Sequence, residues 1–213
     1  MLGGSIKLKD YKMNEQEKFW AEKFGDDYLV RNMSEGLLAA NINLFAKIFQ
    51  RTGMLTSILE LGCNVGMNLR AISSLMPNCE LMGVDINNSA LEILKKNLSG
   101  VTPYQNSISE TLDIKAELVF TKGVLIHINP DDLNKVYHNL YTCSKKYICI
   151  AEYYNPVPVT IDYRGHKNKL FKRDFCGEMM QIYSDLRLID YGFCYHLDTV
   201  FPQDDINWFI LAK

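Results

Sequence analysis

The chain has 213 residues, 47% of them apolar and 23% charged, with a formal net charge of −2. That length suits one domain with a sizeable core, and the ordinary composition excludes a disordered or collagenous chain. The small acidic balance leaves no basic excess of the kind that marks a nucleic-acid footprint.

The first ten residues hold no apolar core of signal-peptide length, and no apolar stretch is long enough to span a bilayer, so a cytoplasmic protein without a membrane partner is expected. Cys63, Cys79, Cys143, Cys149, Cys176 and Cys194 are scattered, with no CxxC pair and no zinc-like spacing to histidine. They read as reduced, mostly buried thiols, and no metal is expected.

In chain order, residues 15–24 read as a short helix and residues 26–32 as a polar turn. A longer helix runs to about Thr52, with Ser34 as its N-cap. Strands then alternate with helices. Residues 57–62 form a strand followed by a helix from Met67 to Leu75. Residues 80–85 form a second strand leading to a helix at 89–98, capped by Asn88 or Ser89.

Short strands follow near 103–105 and at 117–121. Asn129-Pro-Asp-Asp opens a helix to about Cys143, and 147–152 is a strongly apolar strand. Pro156 and Pro158 make the next stretch a loop. Residues 175–184 are helical, and 186–196 and 207–211 read as two final strands. The alternation implies βαβ units and a mostly parallel sheet, closed by an antiparallel pair.

The most informative segment is Ile58-Leu-Glu-Leu-Gly-Cys-Asn-Val-Gly-Met-Asn-Leu69. A buried strand breaks into a small-residue turn and passes at once into a helix, the arrangement that brings backbone close to a nucleotide. Gly62 and Gly66 allow that approach. Asn64 stands where a glycine is often found, and asparagine tolerates left-handed backbone better than other side chains. Glu60 either holds a ligand's amino group or orders the loop.

The second apolar run ends in Asp85-Ile86, placing a carboxylate where both ribose hydroxyls can donate to it. NAD also uses a glycine turn and a second-strand acid, but its fingerprint is Gly-x-Gly-x-x-Gly. Here Glu60-x-Gly62-x-x-x-Gly66 points instead to S-adenosylmethionine.

Together, this motif and the order of elements resemble the class I methyltransferases. The expected fold is α/β and Rossmann-like: a seven-stranded, mostly parallel sheet with an antiparallel last strand and a helical N-terminal cap. One domain over 1–213 is expected, with 1–52 the cap and 53–213 the core. The resemblance implies that Ser107 and Ile108 contact adenine and that the stretch from Thr121 to His127 lines the methyl end of the pocket.

Three further blocks resemble the methyltransferases associated with pseudaminic acid biosynthesis. They are Glu17-Lys-Phe-Trp-Ala-Glu-Lys-Phe-Gly-Asp-Asp-Tyr-Leu-Val-Arg-Asn32, Phe120-Thr-Lys-Gly-Val-Leu-Ile-His-Ile-Asn-Pro130, and Ile161-Asp-Tyr-Arg-Gly-His166 running on to Phe175. That resemblance implies methylation of a small acidic sugar or sugar-derived acceptor, with no nucleic-acid partner, by a monomer or homodimer. Two other classes stay open: an NAD-dependent sugar-nucleotide reductase or epimerase, and a non-catalytic cofactor-binding protein.

Hydroxyl and ammonium acceptors need a base. His127, just after the fourth strand, is the first candidate, with an ordering role in its loop as the alternative. Glu152, ending the fifth strand, is the second, and His166 a weaker third. His138 and His196 read as surface or hairpin residues. Arg164, Lys169 and Arg173 suit an acidic acceptor, arginine in bidentate fashion, and Tyr153, Tyr154 and Tyr163 suit a pocket wall. Tyr28 and Arg31 are placed to reach the cofactor's carboxylate, with a helix-cap salt bridge as the alternative for Arg31. Trp20 and Phe24 read as packing of the cap.

Overall fold

The computed structural model describes residues 13–21, 34–163 and 166–213, and Phe24, Tyr28, Arg31 and Arg164 lie outside the described residues. The interior strand β1 (Ser57–Leu61) is buried along its whole length. A strand with apolar side chains on both faces belongs inside a parallel sheet covered on both sides. Its neighbours are β2 (Glu80–Asp85) and β4 (Ala116–Lys122), both parallel, with Leu59 level with Met82 and Val119. β3 (Thr102–Gln105) extends the sheet beyond β2, and β5 (Ser144–Glu152) beyond β4.

The last strand, β9 (Ile206–Ala212), runs antiparallel to β5 and sits between it and β8 (Arg187–Cys194), which forms the sheet edge. The order is therefore β3-β2-β1-β4-β5-β9-β8. The seven strands and the reversed last strand were both expected. β9 is inserted inside the edge rather than forming it.

Alternation along each strand splits the core in two. Ile58, Leu118, Phe120 and Cys149 face α2 (Glu35–Thr52), α3 (Met67–Leu75) and α4 (Asn88–Asn97). Leu59, Val119, Ile148 and Leu211 face α5 (Leu133–Cys143) and α6 (Phe175–Ile182). α2 lays Leu38, Leu44, Phe45 and Ile48 on the sheet, and Ser34 caps it by accepting from the Leu37 amide at 3.1 Å. Arg51 then ties its far end to Asp190 on β8 at 2.6 Å.

Two local expectations change. α4 is capped by Asn87, whose Oδ1 accepts from the Ala90 amide at 2.9 Å, because the chain is still extended there. The segment after β5 stays a loop only through Pro158, and a hairpin then forms from β6 (Val159–Tyr163) and β7 (His166–Lys172). β7 packs on the turn Leu125–His127 and so folds back over the sheet's carboxyl edge.

The short helix α1 (Glu15–Ala21) opens with a reciprocal cap. The Asn14 amide donates to Glu17 Oε2 and the Glu17 amide to Asn14 Oδ1, both at 2.9 Å. Among the described residues no helix is long and apolar enough to cross a membrane. All six cysteines are free thiols, and all but Cys79 are buried.

Candidate active site

Between β1 and β4 the strand order reverses, and the crevice at the carboxyl ends of the strands is where open α/β sheets bind ligands. A cavity of about 280 Å³ lies there. Its floor is the loop after β1. The Gly62 and Cys63 amides both donate to the Val84 carbonyl, at 2.8 and 3.0 Å, which turns the chain sharply. Gly62, Asn64 and Gly66 all adopt positive φ (80°, 47° and 79°).

Two glycines are required by space as well as by backbone. A Cβ on Gly62 would sit 2.6 Å from Val124, and one on Gly66 would collide with Leu94. Asn64 holds the left-handed position as expected, with its amide donating to Asp85 Oδ2 at 2.7 Å.

Asp85 Oδ1 also accepts the Asn87 amide at 2.9 Å. One carboxylate thus holds together the loops after β1 and β2. Burial pushes its pKa up, and the amides of Asn87, Asn64 and Ile86 pull it back. Each carboxylate oxygen offers two lone pairs, so an acceptor position remains on each for a ribose hydroxyl. Ile86 and Ile108 line the cavity beside Asp85, with Ser107 and Ser109 at the same end.

α1 closes this end. Glu17 Oε1 accepts from Ser107 Oγ at 2.5 Å and Ser109 Oγ at 2.9 Å. Asn14 Nδ2 reaches Asp132 Oδ2 at 2.9 Å, and Asn87 Nδ2 reaches the Trp20 carbonyl at 3.3 Å.

The other half of the cavity lies over β4, β5 and β9. His127, 9% exposed, stands in its wall with its ring 4.5 Å from that of Trp20. Lys122, Tyr153, Leu170, Asp204 and Ile206 complete that half. Burial lowers the Lys122 pKa, and Glu60 and Asp204 oppose that shift.

Glu60, Thr121, Glu152, Tyr154 and Arg173 were expected in the site, and none lines the cavity. Glu60 is fully buried behind the loop, where Oε1 accepts from Asn68 Nδ2 at 2.6 Å. It therefore follows the loop-ordering alternative. Thr121 is equally buried. Glu152 Oε1 accepts the Val124 and Leu125 amides at 2.8 and 2.9 Å, so it fixes the turn that carries His127 instead of facing an acceptor.

Tyr154 is exposed beside Phe209. Arg173 is spent on Glu178 at 2.8 Å, whose other oxygen accepts from the Tyr137 hydroxyl. Tyr163 is placed by its backbone pairing with His166, and nothing further is described of either side chain. His138 is exposed, and His196 pairs with Asp205 at 2.8 Å.

Sequence reasoning missed Glu17, Asn41, Ser109 and Asp204. Asn41 carried a signal: it is the polar residue in the buried stripe of α2. Lys122 falls within the stretch expected at the methyl end of the pocket, and it lines the cavity as the cation that ends an apolar strand.

Burial raises the Glu60 pKa to about 8, opposed by the Asn68 bond and Lys122. Its folded value lies above its unfolded one, so its contribution to stability is complete below about pH 4.5 and is lost as pH rises through 8. The thermal midpoint of the wild type is therefore expected to fall between pH 5 and 9. Glu60→Gln should flatten that slope by about half, since Glu152, raised to about 7 by burial, titrates in the same direction. Parallel slopes in melting curves would refute a buried, protonated Glu60.

The geometry agrees with the comparisons. Residues 58–146 match the model of the methyltransferase domain family. No curated protein sequence matches the chain. Among solved structures it resembles magnesium protoporphyrin IX methyltransferase from Synechocystis with bound S-adenosylhomocysteine. The TM-score is 0.69 at 12% identity, covering 92% of this chain and 97% of that one.

It also resembles the 1,6-didemethyltoxoflavin-N1-methyltransferase of Burkholderia thailandensis, with a TM-score of 0.72 at 11% identity over 98% and 97% of the two chains. A methyltransferase from Clostridium acetobutylicum gives 0.62 at 13%, over 89% and 97%. The glycine loop, the second-strand carboxylate and the sheet order agree with the family match over residues 58–146, and the chain has the Rossmann-like fold of the S-adenosylmethionine-dependent methyltransferases.

Proposed function

We propose that the protein transfers a methyl group from S-adenosylmethionine to a small acidic acceptor, a sugar or sugar-derived metabolite of pseudaminic (nonulosonic) acid and surface-glycan chemistry. On this reading the whole chain works as one cytoplasmic catalytic domain, as a monomer or homodimer. The observation that carries the transfer reaction is the division of one cavity. Asp85, Ile86, Ser107 and Ile108 form one end, and His127, Lys122 and Tyr153 the other. Strands in a sheet lie about 4.8 Å apart, so three steps from β2 to β5 span roughly 15 Å, enough for a nucleoside with its methionine arm.

The residues fit such a cofactor. Asp85 keeps acceptor capacity for both ribose hydroxyls, and two isoleucines offer apolar surface to a purine. The Asn64 Oδ1 atom is buried at the cavity without a hydrogen-bond partner, ready for a donor. When bound, the sulfonium supplies an electrophilic methyl group on a good leaving group. The protein's task is then alignment and proton removal. Tyr153 and Leu170 wall the acceptor's side. His127 takes the proton of a hydroxyl or ammonium acceptor as its lone pair attacks, whereas a carboxylate acceptor needs no such step.

Calorimetry with S-adenosylhomocysteine and with NAD tests the cofactor, and binding of NAD alone would sink the proposal in favour of a reductase or epimerase. Incubation with labelled S-adenosylmethionine and nucleotide-activated acidic sugars, read by mass spectrometry, tests the acceptor. Binding without any labelled product across that panel would favour a non-catalytic protein.

A further inference from the structure

The acceptor end of the cavity contains a charge arrangement that the transfer reaction itself does not require. Lys122 ends β4 next to Ala151 of β5 in the register, and Ala151 is level with Trp208 of β9. Because β9 is antiparallel, its first residue, Ile206, and the preceding Asp204 stand at the same edge as Lys122. All three line the cavity. Across from them, α2 contributes Asn41, 1% exposed, whose Oδ1 has no hydrogen-bond partner.

Two of these groups are costly where they stand. A buried carbonyl oxygen without a donor costs about 1–3 kcal/mol. Among the described residues the Lys122 ammonium forms no ion pair, although Glu60 and Glu152 lie close enough to feel its charge. A helix interior and a strand end carrying such groups into one cavity make sense if a ligand completes both.

We propose that Lys122, Asn41 and Asp204 form the acceptor-recognition subsite, with Lys122 binding the carboxylate of a small hydroxylated acid. Asn41 Oδ1 and Asp204 accept from that acid's O–H or N–H groups. A monoanion fits better than a dianionic phosphate, because Asp204 beside Lys122 would repel the second charge. Tyr153, Leu170 and Ile206 supply the apolar wall against the carbon skeleton. The proposal rests on the methyltransferase reading and deepens it, moving acid recognition from Arg173, which is engaged with Glu178, to Lys122.

The test uses the full chain loaded with S-adenosylhomocysteine, with N-acetylneuraminic acid and its methyl ester as the probes. By calorimetry the wild type should bind the acid about tenfold tighter than the ester, a difference of ~1.4 kcal/mol. Lys122→Met should erase that preference while S-adenosylhomocysteine affinity stays within threefold, and Lys122→Arg should keep most of it.

Asp204→Asn, at an exposed position that spares the core, should weaken the ester at least threefold through the lost charged acceptor and the acid less, because only the acid gains from removal of a nearby negative charge. Equal binding of acid and ester to the wild type, no binding of the acid, a preference that survives in Lys122→Met, or an ester affinity unchanged in Asp204→Asn would each overturn the proposal. Failure of the wild type to bind S-adenosylhomocysteine is a separate result, and it overturns the methyltransferase reading beneath it.

Discussion

His127→Ala is expected to slow methyl transfer to a hydroxyl or ammonium acceptor by about 10²–10⁴-fold, the usual contribution of a positioned base. Affinity for S-adenosylhomocysteine should stay within a few-fold. The imidazole stands in the cavity wall, held against Trp20 by a ring contact and carried on a fixed turn. Glu152 supplies the contrast. Its side chain accepts two backbone amides of that same turn, and leaving both unpaired costs about 1–3 kcal/mol each.

Glu152→Ala should therefore lower the melting temperature by about 5–15 °C and reduce activity through the displaced turn. Rate measurements, calorimetry and melting curves on the two variants separate a base from a positioning residue. Loss of cofactor affinity in His127→Ala would remove it from the base role. A stable Glu152→Gln that binds cofactor normally yet turns nothing over would move the role to Glu152.

Asp85→Ala is expected to weaken S-adenosylhomocysteine binding at least a hundredfold, or about 2.8 kcal/mol at 1.4 kcal/mol per decade. Two ribose hydroxyls would lose a charged acceptor, each such bond being worth about 1.5–3 kcal/mol. The loss is compounded because the Asn64 and Asn87 amides lose their partner and the two loops that shape the cavity come apart. Asp85→Asn retains one acceptor oxygen and should fall between the two. Affinity within threefold of wild type for the alanine variant, by calorimetry, would remove Asp85 from the cofactor site.

The half of the cavity around Asp85 was legible because its signals are local. Gly62, Asn64 and Gly66 declare positive φ within five residues, and Asp85 ends a strand whose apolar run is plain. The other half depends on side-chain pairings that no strand or helix periodicity encodes. Arg173 looked free in a cationic stretch, yet its partner Glu178 lies one helical turn further on and its neighbour Tyr137 on another helix. Glu60 and Glu152 end as buried acceptors because a donor from the next helix reaches the first and two amides of the turn after β4 reach the second. The hairpin after Pro158 escaped notice because its strands are mixed polar and aromatic, with little alternation to mark a buried face.

α1 joins the cavity rim at three separate places: Ser107 with Ser109, Asp132, and Asn87. Each contact contributes about 1–3 kcal/mol, more at the two carboxylates than at the Trp20 carbonyl, so no single one holds the helix down. Their anchors belong to different loops, which makes partial release unproductive and undocking of the helix close to all-or-none. A nucleoside bound in that end of the cavity is then expected to leave only when the helix does, and lids of this kind open on the microsecond-to-millisecond scale. Its residence time is governed by a seven-residue latch as well as by the groups that touch it.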